Sequence, residues 1–293
     1  MHFLGIDAGA SATQWVLSDQ SGVVTRGVAG PIDGHIYRDE SRARMQSTLS
    51  TIAAECAVTV DALVIGITGV AETDEQRSAT LEIIFQSFPA ASVELLSDIH
   101  LAYRVHFRQS AGVLLYAGTG AVACTEVDGV LKRVGGWGYL LGDEGAGYWI
   151  GRAALRALML YVDRDQVPPR GSLEAAIADA INGRSWGDVK NFVYGNNRSE
   201  IAALARIVFS HIGEKSADEI LIEAADHLNS LVGRVDEITG DSSRPVIFTG
   251  GTSRGGGPLN DRLSGLLSSR LTLSDRDIAE GAAELAKEVS SQG

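Results

Sequence analysis

The spacing of apolar and polar positions predicts three short strands at the start of the chain. The apolar run Phe3 to Ile6 ends in a small-residue turn at residues 7–13. Strand patterns follow at residues 14–18 and 23–29, with Asp19-Gln20-Ser21-Gly22 as the turn between them. We therefore expect strand, glycine turn, strand, turn and strand in succession.

Strands and helices alternate beyond this opening. Residues 38–56 and 73–87 have helical patterns, and a buried strand is predicted at residues 60–68. A further strand at residues 93–97 leads directly into a helix at 99–107. Repeated strand–helix units imply parallel strands joined by crossover connections.

The opening pattern returns about a hundred residues later. Strands are predicted at residues 112–116, 121–127 and 130–134, joined by the turns Ala117–Gly120 and Asp128-Gly129. Glycine turns between strands are common in sheet proteins, so the repeat also has an ordinary explanation. Hydroxyl side chains in both glycine turns favour a functional explanation, because N–H groups and hydroxyls together form an anion-binding concavity.

The remaining pattern is mainly helical. Consecutive helices are predicted over residues 172–240, followed by a strand at 245–249 and a third glycine turn. A helix then starts at Leu259, and an amphipathic helix at about residues 277–289 is the last predicted element.

We therefore predict an α/β protein of two similar domains, each a mixed sheet flanked by helices, with a cleft between the domains. The first domain is expected to span residues 1–108, with a C-terminal helix at 276–290 packing back on it. The second is expected to span residues 109–275 and to carry a helical insertion at 150–240.

Composition excludes several classes of function. The net charge of −12 argues against nucleic acid or an anionic membrane as a partner, because both need a basic surface. No apolar run approaches the length of a membrane span, and the first residues lack a signal-peptide pattern, so we expect a cytoplasmic protein. The two cysteines, Cys56 and Cys124, lack the paired spacing of a disulfide framework, a zinc site or an iron–sulfur cluster.

Several catalytic motifs are also excluded. The six histidines show no metal-ligand spacing, and the chain contains neither a Walker-type P-loop nor a G-x-S-x-G nucleophile elbow. The turn at residues 7–13 lacks the glycine spacing of a dinucleotide-binding loop. In so acidic a chain, any bound phosphate must be held mainly by backbone N–H groups and a metal ion.

The most unusual stretch is residues 135–151. Seven of its seventeen residues are glycine, and two tryptophans, two tyrosines and the pair Asp143-Glu144 lie among them. Glycine allows a ligand to approach the main chain closely, and helical spacing begins at Tyr148. A binding loop fits this pattern, and so does a tightly packed turn in which Asp143 caps the helix.

Asp98 stands where a predicted strand ends and a predicted helix begins. Ligands of open α/β sheets bind at the carboxyl ends of the strands, so this carboxylate is a candidate catalytic group. Asp is also a common helix N-cap, and the residues alone leave both roles open.

Taken together, these stretches resemble the sugar-kinase and actin-like ATPase superfamily, whose domains have a ribonuclease H-like fold. Within it, the chain is similar to the family of N-acetylglucosamine kinases and benzoyl-CoA reductase activator-type ATPases. The resemblance covers nearly the whole chain. It rests on the first phosphate turn at residues 7–13 and the second at 118–120, the catalytic-aspartate segment at 97–98 and the adenosine turn at 250–251. The most specific match is the glycine-rich loop at residues 135–150.

The resemblance implies ATP-dependent transfer of the γ-phosphoryl group to a hydroxyl of an amino sugar, expected to be the 6-hydroxyl. N-acetylglucosamine is the first candidate substrate, with glucosamine and N-acetylmuramic acid as alternatives. Asp98 would be the general base, and Asp7 would order a water on Mg²⁺. Nucleotide contacts are implied for Asp7, Gly9, Ala10, Ser11, Thr13, Gly118, Thr119, Gly120, Gly250 and Gly251. Sugar contacts are implied for Asp33, Gly69, Asp98, Trp137, Gly138 and Asp143.

The first turn departs from the usual family pattern, Asp-Gly-Gly-Gly-Thr-Lys-Thr. Ala8 and Ala10 replace glycines. Ser11 keeps the hydroxyl of the usual Thr, whereas Ala12 removes a frequent Lys. Asp33 is the best match to an Asn that in the family often contacts sugar hydroxyls. These changes leave the identity of the amino sugar open.

The family resemblance also allows two other functions. Activator ATPases drive a partner protein and hold a cluster between subunits through cysteines, but neither Cys56 nor Cys124 lies in a glycine loop. A non-catalytic sugar sensor is a weaker alternative, because such proteins usually carry a basic DNA-binding segment, which the start of the chain lacks. We expect a homodimer that binds an amino sugar and ATP–Mg²⁺.

Overall fold

The computed structural model describes residues 1–9, 11–70, 73–108 and 110–291. The chain divides into two units, which are described separately. Unit 1 comprises Met1–Gln109 and Arg276–Gly293, and unit 2 comprises Ser110–Asp275. Within the described residues, no helix is long and apolar enough to cross a membrane.

Unit 1 is built on a mixed five-stranded sheet. Its strands are β1 (Phe3–Ala8), β2 (Thr13–Ser18), β3 (Val23–Ala29), β4 (Ala62–Ile67) and β5 (Ser92–Ser97). Their spatial order is β3-β2-β1-β4-β5, with antiparallel pairing among β1, β2 and β3 and parallel pairing among β1, β4 and β5. Every residue of β4 is buried, as expected for a central strand covered on both faces.

Helices cover both faces of this sheet. They are α1 (Asp39–Cys56), α2 (Asp74–Ser87), α3 (Asp98–Phe107) and α11 (Ile278–Ser291). Met45 of α1 and Ile84 of α2 belong to the core on one face, and Leu101 of α3 and Ala282 of α11 belong to the core on the other. The strand alternation of side chains explains why one sheet can supply both cores.

Helix α11 lies directly against β1. A Cβ atom on Gly5 of β1 would overlap the backbone atoms of Ala279 and Ala283 in the helix. Backbone atoms cannot move aside as the end of a flexible side chain can, so this contact requires glycine.

Unit 2 contains a second mixed five-stranded sheet. Its strands are β6 (Val113–Ala117), β7 (Ala121–Val127), β8 (Val130–Gly135), β9 (Val246–Thr249) and β10 (Leu271–Leu273). The spatial order is β8-β7-β6-β9-β10, with antiparallel pairing among β6, β7 and β8 and parallel pairing among β6, β9 and β10. This is the strand order and direction of unit 1, so the predicted repeat of the opening pattern is confirmed.

The rest of unit 2 is helical, as predicted for residues 172–240. Its helices are α4 (Gly147–Val162), α5 (Leu173–Ala180), α6 (Trp186–Gly195), α7 (Arg198–Ala203), α8 (Ala205–Ser210), α9 (Lys215–Thr239) and α10 (Gly257–Leu267), with one-turn 3₁₀ helices at Ser253–Gly255 and Ser268–Arg270. Leu221, Leu228 and Val232 of the long helix α9 are buried in the core of this unit.

Replacement of Gly5 tests the contact between α11 and β1. We expect Gly5→Ala to lower the free energy of unfolding by about 1–3 kcal/mol or more, because the added methyl group overpacks a backbone contact. Gly233→Ala is the control, because a Cβ atom there meets no atom within 4 Å. It should raise the free energy of unfolding, since glycine in a helix interior costs about 1 kcal/mol relative to alanine. Urea unfolding followed by circular dichroism measures both changes. A Gly5→Ala protein as stable as the parent would contradict this packing.

Candidate active site

The carboxyl ends of three parallel strands lie side by side in unit 1. In the strand register, Ala8 of β1 is level with Ile67 of β4, and Ile67 is level with Ser97 of β5. The turn after β1, Gly69 after β4 and Asp98 after β5 therefore share one edge of the sheet. This is the edge at which open α/β sheets bind ligands.

The turn after β1 is closed and anchored by backbone hydrogen bonds. The Gly9 N–H donates to the Ala12 carbonyl oxygen at 3.0 Å, and the Thr68 N–H donates to the Ala8 carbonyl oxygen at 3.0 Å. The hydroxyl of Thr13 is buried and has no hydrogen-bond partner among the described residues. An unpaired buried hydroxyl costs free energy, so this turn has unused hydrogen-bonding capacity. Ser11 is exposed, and Ala10 lies outside the described residues.

Asp7 is the most perturbed carboxylate of this edge. Burial, together with repulsion from the nearby carboxylates of Asp98 and Asp277, raises its pKa from 3.8 to about 6. A cation at this position would relieve that unfavourable charge. The described residues contain no group of three His, Cys, Asp or Glu side chains that could hold a metal ion.

Asp98 does not cap helix α3. The N-cap is Ser97, whose hydroxyl accepts a hydrogen bond from the His100 N–H at 3.2 Å. Asp98 is the first residue of the helix, and its Oδ1 accepts from the Ile99 N–H at 2.8 Å. Its Oδ2 has no hydrogen-bond partner in the described part of the chain. The cap alternative for Asp98 is therefore wrong, and one carboxylate oxygen remains available at the sheet edge.

Asp33, in the loop between β3 and α1, and Gly69, in the loop after β4, belong to two loops that meet at the same edge. The Gly34 N–H donates to the Thr68 carbonyl oxygen at 2.9 Å. Both oxygens of Asp33 are used locally, Oδ1 by the His35 N–H at 3.1 Å and Oδ2 by the Ser41 hydroxyl at 3.2 Å. These bonds fix the orientation of the carboxylate while leaving further lone pairs on each oxygen.

Two glycine turns meet at the corresponding edge of unit 2. The turn Gly118–Gly120 follows β6, and Gly250 and Gly251 follow the parallel strand β9. The Thr252 N–H donates to the Ala117 carbonyl oxygen at 2.9 Å. Gly250 has a φ of +106°, and a Cβ atom there would overlap the same carbonyl group. The predicted second phosphate turn and the predicted adenosine turn are thus in direct contact.

The start of helix α4 holds the second phosphate turn. The Gly147 N–H donates to the Gly118 carbonyl oxygen at 2.8 Å, and the Tyr148 N–H donates to the Thr119 carbonyl oxygen at 3.1 Å. The turn is closed by the Gly118 N–H, which donates to the Gly120 carbonyl oxygen at 2.9 Å. The N–H groups of Thr119 and Gly120 donate to no described residue. Two backbone donors are therefore available to an anion at this turn.

Asp143 packs against this turn and does not cap α4. The N-cap of α4 is Ala146, which makes no side-chain capping bond, so the cap alternative for Asp143 is also wrong. Asp143 is 7% exposed, and its Oδ1 accepts from the Ala121 N–H at 3.3 Å. A Cβ atom on Gly120 would lie 2.5 Å from Oδ2 of Asp143, so glycine is required at that position.

The pKa of Asp143 is raised by burial, although the Ala121 N–H and the positive charge of Arg198 act in the opposite direction. Asp143 also has a φ of +64°, a conformation that is uncommon for residues other than glycine. A buried, oriented carboxylate in an unusual backbone conformation is typical of functional sites.

Trp137 and Gly138 lie on the same loop with a large exposed surface. Trp137 is 61% exposed, and the guanidinium carbon of Arg234 lies 5.1 Å from the centroid of its ring. The sequence singles out Trp137 but neither Arg234 nor Arg198. Both arginines belong to helices that are far from residues 135–151 in the sequence, so no local pattern indicates their contacts.

The two cysteines are placed inside the cores. Cys56 of α1 is 5% exposed and Cys124 of β7 is fully buried. Burial raises the pKa of the Cys56 thiol to about 11 and that of the Cys124 thiol to about 12. Thiols so buried and so weakly acidic are poor ligands for a shared cluster.

Comparison with curated proteins finds relatives along most of the chain. A protein of Clostridium acetobutylicum named N-acetylmuramic acid/N-acetylglucosamine kinase is 28% identical over 261 residues, which cover 85% of this chain and 83% of the relative. A Dictyostelium discoideum protein named N-acetyl-D-glucosamine kinase is 26% identical over 287 residues, covering 89% and 88% respectively.

The fold is also that of known structures. A candidate N-acetylglucosamine kinase of Chromobacterium violaceum superposes with a TM-score of 0.77 over 97% of this chain and 98% of its own, at 23% identity. Residues 4–271 match the BadF/BadG/BcrA/BcrD ATPase family, which is nearly the whole chain. The two sheets have the same strand order, and both carry glycine turns at their carboxyl edges, as the match to this family leads one to expect. The chain belongs to the BadF/BadG/BcrA/BcrD ATPase family.

Proposed function

We propose that this protein is an ATP-dependent kinase that transfers the γ-phosphoryl group to a hydroxyl of an amino sugar. The observation that carries the proposal is the position of Asp98. Its carboxylate stands at the carboxyl end of β5, beside Asp7 and the first glycine turn, and Ser97 performs the capping that Asp98 could have performed. The names of the relatives from Clostridium acetobutylicum and Dictyostelium discoideum support an amino sugar as the acceptor.

Unit 2 is proposed to bind the nucleotide through backbone groups. The unused N–H groups of Thr119 and Gly120 would donate to phosphate oxygens. Gly250, which packs against the Ala117 carbonyl group at the β6 end of that turn, and the adjacent Gly251 would lie against the adenosine. Gly118 helps to shape the same turn, because its carbonyl is fixed by the start of α4.

Unit 1 is proposed to add the remaining phosphate contacts and a place for magnesium. The N–H of Gly9 and the hydroxyls of Ser11 and Thr13 would contribute to phosphate binding, and the unpaired Thr13 hydroxyl supports this role. Ala12 supplies no positive charge, so Mg²⁺ bound to the phosphates would offset their charge in the reaction. Asp7 would hold a water of that ion, which fits a carboxylate whose pKa is raised by burial and by neighbouring anions.

Asp98 is proposed as the general base for the sugar hydroxyl. Its Oδ2 would accept the proton of the 6-hydroxyl as that oxygen attacks the γ-phosphorus. The 6-hydroxyl is the primary and least hindered hydroxyl of such a sugar. Asp143 would accept hydrogen bonds from other hydroxyls, and Trp137 with Gly138 would form the wall beside them. Asp33 and Gly69 complete the proposed sugar contacts.

N-acetylglucosamine is our first candidate substrate, and glucosamine and N-acetylmuramic acid are the alternatives. A panel of these sugars, with N-acetylmannosamine and glucose, tests the proposal when ADP release is measured with ATP–Mg²⁺. We expect ADP release that depends on an amino sugar and yields one sugar phosphate per ADP. ATP hydrolysis of the same rate without any sugar would instead favour an activator ATPase. The homodimer and the cytoplasmic location remain predictions.

Replacement of Asp98 tests the catalytic assignment. Asn can accept the Ile99 hydrogen bond but cannot take up the proton, and positioned proton transfer contributes about 10²–10⁴ in rate. We expect Asp98→Asn to lower kcat on the best sugar by at least about a hundredfold. The melting temperature and the KM for ATP should stay near those of the parent.

Asp74→Asn is the matched control for this experiment. Asp74 is the first residue of α2 behind the N-cap Thr73, just as Asp98 is the first residue of α3 behind the N-cap Ser97. We expect Asp74→Asn to leave kcat unchanged. Near-parental turnover by Asp98→Asn would remove Asp98 from the mechanism. Asp143→Asn should differ from both, with its main effect a raised KM for the sugar.

Replacement of Asp7 should stabilise the fold while weakening the use of magnesium. Because the folded-state pKa of Asp7 is about 6 rather than 3.8, its ionised form is unfavourable, and this cost grows as the pH rises from about 4 to above 6. Without Mg²⁺, Asp7→Asn should therefore gain up to ~3 kcal/mol of unfolding free energy at pH 7, and almost none at pH 4.

Two measurements check the Asp7 prediction. Urea unfolding at pH 4, 5, 6 and 7 without Mg²⁺ gives the stability difference between Asp7→Asn and the parent. Titration of Mg²⁺ in the kinase assay should show a loss of about 10–100-fold in apparent affinity, the effect typical of removing an outer-shell partner of a metal ion. A stability gain that does not change with pH, or unchanged Mg²⁺ dependence, would contradict the role given to Asp7.

A further inference from the structure

Trp137 lies between two glycines, and glycine gives the backbone of this loop more conformational freedom than other residues would. The residues on either side, Gly136 and Gly138, have φ values of +65° and +85°, a region that glycine enters readily. The indole ring of Trp137 is 61% exposed. A large aromatic side chain on such a loop loses much of its value as a binding surface unless something holds its orientation.

Helix α9 packs against this loop and supplies contacts that can hold the Trp137 side chain in one orientation. A Cβ atom on Gly135 would lie 2.8 Å from Cδ2 of Leu231, so the start of the loop rests on this side chain. Arg234 follows Leu231 by three residues and therefore lies on the same face of the helix. Its guanidinium carbon is 5.1 Å from the centroid of the Trp137 ring, within the range of a cation–π contact.

Arg234 is used differently from the other arginines around α9. Arg262 pairs with Asp226 at 2.8 Å, and Arg270 pairs with Asp236 at 2.7 Å. Arg234 is half-buried and has no ion-pair partner in the described part of the chain. Its guanidinium lies over the indole ring of Trp137. The planar guanidinium suits this contact, because it stacks on aromatic faces in a way that a lysine ammonium does not.

We propose that Arg234 is a positioning residue of the sugar site. It covers one face of the Trp137 indole and holds the ring so that the opposite face can receive the apolar face of the amino sugar. The inference rests on the proposed function, since it assumes that the glycine-rich loop binds the sugar. Arg234 itself would touch neither the sugar nor the reacting atoms.

Steady-state kinetics test the position of Arg234 in the site. Arg234→Met keeps an apolar stem but removes the cation, and it should raise the KM for the sugar about two- to fivefold, the factor that corresponds to an exposed cation–π contact. The kcat and the KM for ATP should remain near the parental values. Arg234→Lys should recover part of the loss. Lys215→Met, which removes an exposed cation from the same helix, should change neither constant.

A double-mutant cycle separates positioning from a general effect on the fold. Trp137→Ala should raise the KM for the sugar more than Arg234→Met does, because the whole surface is lost. In the Trp137→Ala protein, a further Arg234→Met change should have no effect on that KM. If Arg234→Met raises the sugar KM equally in both backgrounds, or raises the KM for ATP by the same factor, the inference is wrong.

Fluorescence tests the same contact without any turnover. Of the four tryptophans, Trp15 and Trp149 are buried, whereas Trp186 and Trp137 are 58% and 61% exposed. In a Trp186→Phe protein, quenching by neutral acrylamide therefore reports mainly on Trp137. We expect Arg234→Met to increase this quenching in the absence of ligand, and the best sugar to reduce it in the parent.

These outcomes distinguish the inference from the proposed function. If no sugar of the panel is phosphorylated or protects Trp137, the proposed function fails, whatever the effect of Arg234→Met on quenching. If a sugar is phosphorylated and protects Trp137, but Arg234→Met alters neither the sugar KM nor the quenching, the function stands and the positioning role of Arg234 is refuted.

Discussion

Parallel pairing of the central strands is the constraint on which the rest of this structure depends. Because β1, β4 and β5 run in one direction, the segments that leave them emerge at one edge, and the same holds for β6 and β9 in unit 2. Side chains that are distant in sequence, such as Asp7 and Asp98, thereby come close enough for the carboxylate of Asp98 to help raise the pKa of Asp7. The antiparallel strands beside them, in contrast, place their glycine turns at that same edge through short local connections. At this edge, each unit therefore brings a local turn together with residues that follow strands reached by crossover connections.

At the carboxyl edge of the unit 2 sheet, close packing fixes the glycine-rich loop against the turn after β6. The carboxylate of Asp143 occupies the space that a side chain at position 120 would need, and the start of α4 is hydrogen-bonded to Gly118 and Thr119. Loop, helix and turn thus form one connected structure. A shift of the loop would therefore be transmitted directly to the N–H groups of the turn.

The features that could be predicted from the sequence are those that produce a local pattern of residues. Strand alternation, helical spacing and the repeat of the opening gave the main elements to within one or two residues, and Asp98 was correctly placed at a strand end. The capping alternatives for Asp98 and Asp143 were wrong, because the neighbouring residues Ser97 and Ala146 occupy the cap positions. Strand β10 was missed, since three residues, two of them exposed, carry no periodic signal. The contacts of Arg198 and Arg234 depend on helix packing, which spacing along the chain does not reveal.

The helix α11 that closes unit 1 also bears on how the chain is made. Strand β1 is translated before unit 2, whereas helix α11, which covers one of its faces, is translated after unit 2. During translation, unit 2 acquires all of its strands before unit 1 acquires its final helix. Until α11 is synthesised, the face of the unit 1 sheet that this helix covers lacks part of its core. The unit whose synthesis starts first is therefore the later one to be completed.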